Sequence, residues 1–484
     1  MPFTGWINVN FLKQHVMKKL LLAKILFLGC ALTLVISFST AQSARLNLSD
    51  AIRTGLANYQ SIQAKRNFMN ASSALLQNAK NQYLPDVTAS IQQAYGTING
   101  QFGAYSSLAG PSSIASAGPT YSSQNWASAF GSIYLINTNW EFVSFGRLHS
   151  KIETANKQLL LDSADLTQEK FVQGVKIAGA YLNLLIAQRF IKNAQSNLYR
   201  TVFVQQSVIA RTRSGLNAGV DSSIANADVS SAKLSLIQAI NAEQQQRNVL
   251  CQLINITPSD LNLDTSFFAA SPTTYNTNFA VDNNPQVQFY KSRVDLSSSA
   301  EKYIQKSINP GLNLFGSLQG KGSGFEYNYT PLSGNYSKNY FDGINPNRYN
   351  YILGIGIGWN IMSLAKIKQQ VKAQEFVTAA YQNQYDLIST QLKDQLILSG
   401  QQIENSLKSL QEVPVEYKAA SDAYLQKTVL YKNGLTNIVD VQQALYNLNK
   451  AEIDMSVAYI NVWQALLLKS AASGDFDLFI KQVK

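Results

Sequence analysis

Apolar residues along this chain follow two periods, in the same order, twice. From Leu46 to Gln82 they recur at helical spacing; Leu48-Ser49-Asp50 opens the segment and Pro85 ends it. The period then drops to two, with Val87, Ala89 and Ile91 alternating with Asp86, Thr88 and Ser90. A return strand is predicted over Ala129 to Trp140. A long helix follows from Arg147 to Arg213, free of proline, with Val172, Val175, Ala178, Leu182 and Leu185 at three- and four-residue steps. At 1.5 Å per residue it would run about 100 Å, a length that calls for coiled-coil partners. Gly215-Leu216 breaks it, and a second helix returns from Ser222 to Ile254 with Ala225, Val229, Ala232, Leu236 and Ala239 on one stripe.

The same plan recurs downstream. Trp140 to Asp221 lies on Trp359 to Asp440 without a gap, at an offset of about 219 residues, and Asn58 to Pro85 resembles Asn283 to Pro310 at about 225. The pairs include Ser144 with Ser363, Gly215-Leu216 with Gly434-Leu435 and Asp221 with Asp440. Two long copies do not make a solenoid; they predict a duplicated architecture with pseudo-symmetry inside one subunit. The expected organisation is a leader over 1–41 and a first repeat over 42–264 (hairpin 86–140, tip 214–221). A linker over 265–284, expected to pack outside the helices, a second repeat over 285–475 (hairpin 311–359, tip 433–440) and a tail over 476–484 complete it. One departure between copies stands out: Pro414 occupies the place of Gln195, which predicts a bend or break in the second long helix.

The strands carry the strongest clue to environment. Tyr351, Leu353, Ile355, Ile357 and Trp359 share one face, with Gly354, Gly356 and Gly358 on the other. Large apolar residues alternating with small ones suit a membrane β-strand with lipid on one side and a lumen on the other. Trp140 and Trp359 close the return strands and Tyr351 lies within the second, as interface aromatics would. A soluble hairpin packed on a core is the other reading. The connecting stretches, Gly96 to Trp126 and Gly320 to Arg348, are rich in Gly, Ser, Asn and Tyr and suit external loops. One chain would supply four strands. An open sheet edge in lipid is very costly, so several copies would have to share one barrel.

Composition agrees with an envelope protein. Of 484 residues 46% are hydrophobic and only 14% charged, well under the usual quarter. Lys18 and Lys19 precede an apolar run from Leu20 to Phe38, and Ser39-Thr40-Ala41 offers small residues for cleavage before Gln42. Met1 and Met17 are both candidate starts. A retained anchor and a lipidated Cys30 remain alternatives to plain cleavage. The formal charge of +11 falls to about +7 without the leader, spread along the chain with no basic stripe, which argues against nucleic acid. Without the leader Cys251 is the one cysteine and His149 the one histidine, too few for an internal disulfide or a zinc site. Nucleophile-elbow and phosphate-loop patterns are missing, so no enzyme activity, cofactor or metal is expected.

Taken in order, Tyr83-Leu84-Pro85, the hairpin, Trp140 to Arg147, Gly215-Leu216 before Val220-Asp221, and Gly434-Leu435 before Val439-Asp440 resemble the TolC-like outer membrane efflux proteins. The resemblance implies a mainly α fold of duplicated, long antiparallel coiled-coil helices. Two β-hairpins per chain would join a twelve-stranded barrel in a homotrimer. It implies a passive duct in the outer membrane with a long periplasmic extension, loaded by an inner-membrane transporter through a periplasmic adaptor. Gly215, Leu216, Gly434 and Leu435 then match the adaptor-docking tips. Asp440 matches an acid ringed at the constriction, with Gln443 where a second acid is usual. Tyr431 matches a gate-holding tyrosine, Asp221 its acidic counterpart, and Thr436 stands in the place of a basic partner, for which Lys432 or Arg213 could substitute. Helix capping is the competing role for both aspartates. A structural coiled-coil protein or adhesin, and a general diffusion porin, are the rival readings. Drugs, metal ions, siderophores and polypeptides all remain open as cargo.

Overall fold

The computed structural model describes residues 45–100, 120–258, 261–268, 271–272, 280–330 and 332–482. The leader, its cleavage point and Cys30 lie outside the described residues, as do parts of the first loop and of the linker.

In the first repeat, α1 (Leu48–Asn58) and α2 (Gln60–Asn81) lead into β1 (Asp86–Thr97) and β2 (Ser128–Val143). Then come α3 (Arg147–Arg213) and α4 (Gly219–Ile254). The second repeat follows with α5 (Pro285–Lys306), β3 (Gly311–Ser323), a short α6 (Tyr340–Ile344) and β4 (Arg348–Gly358). It ends in α7 (Ser363–Lys432), α8 (Ile438–Ser473) and α9 (Asp477–Ile480). α3 packs against α4 toward the tip and α2 and α5 toward the sheet, with α1 and α8 also on it; α7 packs on α8 and α5.

The first expected helix is two. Tyr59 is extended (φ −71°, ψ 121°) between α1 and α2. Side chains take over the carbonyls freed there: Gln63 Nε2 donates to Ala57 O at 3.1 Å and Asn255 Nδ2 to Asn58 O at 3.2 Å. Gly55 lets α1 press on α3, since a Cβ there would sit 2.3 Å from Ile177 Cδ1.

The core sits at the waist, where α1, α3, α4 and α8 meet. Leu48, Ile177, Leu182, Leu185, Leu250, Ile254 and Leu466 are buried together. Each such side chain contributes roughly 1.5–3 kcal/mol. The described start of the linker does not ride outside the helices: Phe267 is buried among them, its ring 5.1 Å from Trp463 and 5.9 Å from Tyr181. Trp463 Nε1 donates to Phe267 O at 3.1 Å, which fixes the linker backbone. Tyr181 Oη donates to Leu46 O (2.8 Å) and accepts from Asp264 N (3.0 Å); burial pushes its pKa up to about 12. The expected tail also contributes, since Phe479 on α9 is fully buried against Trp463.

Of the bend or break expected at Pro414, the break does not occur: α7 is one helix of 70 residues across it, which a bend would leave unbroken. Proline forfeits the bond to the Leu410 carbonyl, and packing of α7 on α8 along both flanks, with Val413 buried, keeps the helix continuous.

The strands form one antiparallel sheet in the order β1-β2-β3-β4. The register aligns Ala89, Ile136, Leu318 and Tyr351 in one row, and Thr88, Asn137, Ser317 and Ile352 in the next. One face therefore gathers Val87, Ile91, Ile136, Leu314, Leu318 and the odd-numbered residues of β4. The other gathers Thr88, Ser90, Asn137, Ser317, Gln319 and the β4 glycines, with Ile133, Leu135, Phe315 and Ile352 among them. On the first face the β4 side chains are exposed, Tyr351 at 86%, while α6 covers Ser132 and Gly322 at the loop end. Both outer strands, β1 and β4, keep an unpaired edge among the described residues.

Each repeat fastens sheet to helix in one way. Trp140 Nε1 donates to Tyr83 O at 2.7 Å, and Trp359 Nε1 to Ile308 O at 3.0 Å. Tyr83 and Ile308 are the last turn before each first strand, so the indoles cross-link the entry and exit of each hairpin.

Replacing Pro414 with Ala restores the missing backbone bond. The helix-propensity difference is up to ~3 kcal/mol, so Pro414→Ala is expected to raise the midpoint of thermal unfolding followed by circular dichroism. A lowered midpoint would mean that the ring itself is a packing element.

Candidate functional site

The two tips are built alike. α3 ends at Ser214 with Gly215 at φ +76°, and α7 ends at Asn433 with Gly434 at φ +74°. Gly215 N donates to Thr212 O (3.1 Å) and Leu216 N to Arg211 O (2.9 Å). Gly434 N donates to Tyr431 O (3.0 Å) and Leu435 N to Leu430 O (2.9 Å). This is a Schellman ending, and the left-handed residue has to be glycine. Such endings often bury the following apolar residue. Here Leu216 is 69% and Leu435 73% exposed, with Val220 and Val439 also exposed beside them. The tips therefore present four apolar side chains to solvent.

Behind the tips, the two repeats are tied together by a polar cluster. Arg211 Nε donates to Asn217 Oδ1 at 3.0 Å, and its guanidinium lies over the Tyr431 ring at 5.3 Å. Asn217 Nδ2 donates to Asp221 Oδ2 (2.8 Å) and to Tyr431 Oη (2.9 Å), and Arg211 also reaches Lys432 O at 3.0 Å. Tyr431 is buried with Val204, Val208, Ala225, Ile438 and Val441, and burial pushes its hydroxyl pKa up. The phenol stays neutral well past neutrality and holds the cluster as a hydrogen-bonding group.

A second cluster lies within the second repeat. Asp440 Oδ2 accepts from Thr436 Oγ1 at 2.6 Å and from Lys427 Nζ at 2.9 Å. The Thr436 bond first, then the Lys427 bond and charge, hold its carboxyl below the ordinary aspartate range. Neither aspartate is the helix cap. Asn437 caps α8, accepting from Asp440 N at 2.9 Å, and the N-cap of α4 is Ala218. Gln443 stands apart, bonded to Asn447 at 3.0 Å.

The residues picked out in the sequence thus fall into two groups, Asp221 with Tyr431 and Asp440 with Thr436. The cations that join them are Arg211 and Lys427. Neither of the substitutes expected takes that place: Lys432 lies over Phe203 at 4.8 Å, and Arg213 is the final residue of α3. Asn217 was also missed, although the repeat locates it. It stands two residues after Gly215, as Thr436 stands two after Gly434, and each donates to the aspartate four residues on. Further up, Arg200 grips Glu452 through two bonds of 3.0 and 2.6 Å, and Gln442 bonds Asp228 across the repeats.

The sheet supplies the other candidate surface. Phe130 clusters with Tyr95 (4.7 Å) and Tyr340 (5.1 Å) at its loop end, and Trp140 with Phe142 (6.0 Å) at its helix end. Ten residues of β2 separate these belts, about 34 Å along the strand, or about 26 Å in height at a tilt of 40°. That equals the usual apolar band of a membrane barrel, roughly 25 Å. No described helix is long and apolar enough to cross a membrane. Among the described residues no group of three or more His, Cys, Asp or Glu could hold a metal ion.

No protein-family model and no curated protein sequence matches the chain. Solved structures do. The outer membrane protein VceC of Vibrio cholerae superposes with a TM-score of 0.70 at 15% identity, over 88% of this chain and 96% of that one. CusC, whose structures concern folding and transmembrane channel formation, gives 0.72 at 12% identity over 90% and 96%. The open state of the MtrE outer membrane channel of Neisseria gonorrhoeae gives 0.68 at 17% identity over 88% of each chain. Similarity this low in sequence and this extensive in space establishes the architecture: the chain has the TolC-like fold of these outer-membrane channels.

Proposed function

We propose that the chain is the outer-membrane subunit of a tripartite export system, a passive duct that assembles as a homotrimer. The observation that carries this reading is the four-stranded sheet, with exposed apolar residues along one face of β4, more polar and small residues on the other face, and open edges at β1 and β4. Pairing β4 of one copy with β1 of the next removes every edge, and three copies give roughly twelve strands, a closed barrel in lipid. The polar face then lines the lumen. The helices extend that lumen about 100 Å into the periplasm. Conduction along such a tube needs no catalytic group; the energy comes from an inner-membrane transporter. A periplasmic adaptor docks on Leu216, Val220, Leu435 and Val439, the apolar residues at the tips.

The same reading makes the two polar clusters a gate. Arg211, Asn217, Asp221 and Tyr431 hold the first-repeat tip to the second, while Lys427 and Thr436 hold Asp440. Opening requires the α3–α4 and α7–α8 pairs to part at the tip, which breaks the first cluster. Three copies of Asp440 around a narrow axis would favour cations.

Extraction decides between this and a structural coiled-coil protein. A detergent-requiring trimer from the outer membrane is expected, and a freely soluble periplasmic monomer would refute the duct. In planar bilayers, Arg211→Ala and Asp440→Ala are each expected to raise conductance several-fold; unaltered conductance would remove these residues from the gate. The pH dependence follows from the depressed carboxyl of Asp440. Its contribution to the closed tip is complete above the unperturbed value of about 3.9 and is lost as pH falls through the lower folded value. Conductance should therefore stay flat from neutral pH down to about pH 5 and rise only below about 4.

A further inference from the structure

Beside the waist, a cleft of about 810 Å³ opens between α3, α4 and the linker. This lies within the size range of ligand sites. Three cations line it, Arg189, Lys192 and Arg247, against one acid, Glu243, which lies 3.6 Å from Arg247. Arg189 stacks on Phe268 at 5.6 Å, and its Nε is buried with no hydrogen-bond partner. A buried guanidinium donor left unmet costs free energy that an acceptor would recover. Gln188, Gln195 and Gln244 line the same cleft.

The second repeat has a cleft of about 770 Å³ on another face of its helix pair, between α7 and α8. Lys408 stands there for Arg189 and Gln411 for Lys192, at the offset of the duplication. Its charge is reversed: Glu412, Glu416 and Asp454 line it against Lys408, and Lys450 bridges Glu416 (3.5 Å) and Asp454 (2.7 Å). A cleft of similar size and opposite charge on the same chain gives an internal contrast for recognition by charge.

We infer that the first-repeat cleft is a binding site for an acidic peptide segment, which the second-repeat cleft rejects. Carboxylates pair with Arg189 and Lys192, the guanidinium offering its planar fork. The glutamine amides, which both donate and accept, match a peptide backbone. The assignment goes beyond the channel reading, because neither the lumen nor the tips take part.

Fluorescein-labelled tetraglutamate, titrated into the full-length protein in detergent and followed by anisotropy, tests it. Wild-type protein is expected to bind, and to bind less tightly as salt rises. Arg189→Ala with Lys192→Ala should weaken binding roughly tenfold or more. Lys192→Glu alone changes an exposed side chain, leaves the Phe268 stack intact and should also weaken it. Glu412→Gln with Glu416→Gln should change nothing, and unlabelled tetralysine should not compete. Absence of binding to wild type, equal binding to the Arg189 and Lys192 variants, or displacement by tetralysine would each overturn the site.

Discussion

Unpaired backbone at a sheet edge is the constraint on which the rest of this structure turns. In water an edge strand is solvated; in hydrocarbon each bare amide costs several kcal/mol. The sheet ends in β1 and β4, neither covered by another element among the described residues, and the apolar side chains of β4 are exposed too. In the proposed duct lipid covers that face and like copies cover the edges. The helices pose the complementary problem. They leave large apolar residues such as Phe68, Leu234, Phe376 and Ile397 exposed, and their buried positions concentrate at the waist and the tips. In the proposed duct these residues meet neighbouring copies, and the tryptophan cross-links lie where sheet joins helix.

Duplication explains the economy of the design, and divergence explains its working parts. Both repeats keep the Schellman tips, the indole cross-links and a long helix paired with a return helix and with the helix leading into the hairpin. They differ where the two halves must act on each other. The residue two places after the tip glycine is Asn217 in one repeat and Thr436 in the other. Asparagine can donate to two acceptors at once, so it reaches Tyr431 of the other repeat, while threonine serves only its own aspartate.

Most of the fold was legible in the sequence because its signals are long and repeated. The 3.6-residue stripe of α3, the two-residue alternation of β4 and the Gly-Leu tips needed no tertiary information. What escaped depends on partners distant in sequence. Nothing local at Tyr59 announces that Gln63 and Asn255 will receive the carbonyls freed there. Pro414 reads as a bend or break because propensity takes no account of the neighbouring helix, and α7 stays continuous across it. Phe267 reads as linker because its pocket is assembled from α3, α8 and α9. At the candidate site, Tyr431 and Asp221 were found from their motifs. Arg211 and Lys427 were not, since each acts across a helix pair and their repeat equivalents, Leu430 and Val208, are apolar.

The aromatic knot of Tyr181, Phe267, Trp463 and Phe479 sets a lever arm. From Tyr181 to Arg213, α3 runs about 48 Å at 1.5 Å per residue. A tilt of about 10° pivoting at that fulcrum displaces the far end by about 8 Å, enough to sever every bond of the Arg211 cluster while the knot barely moves.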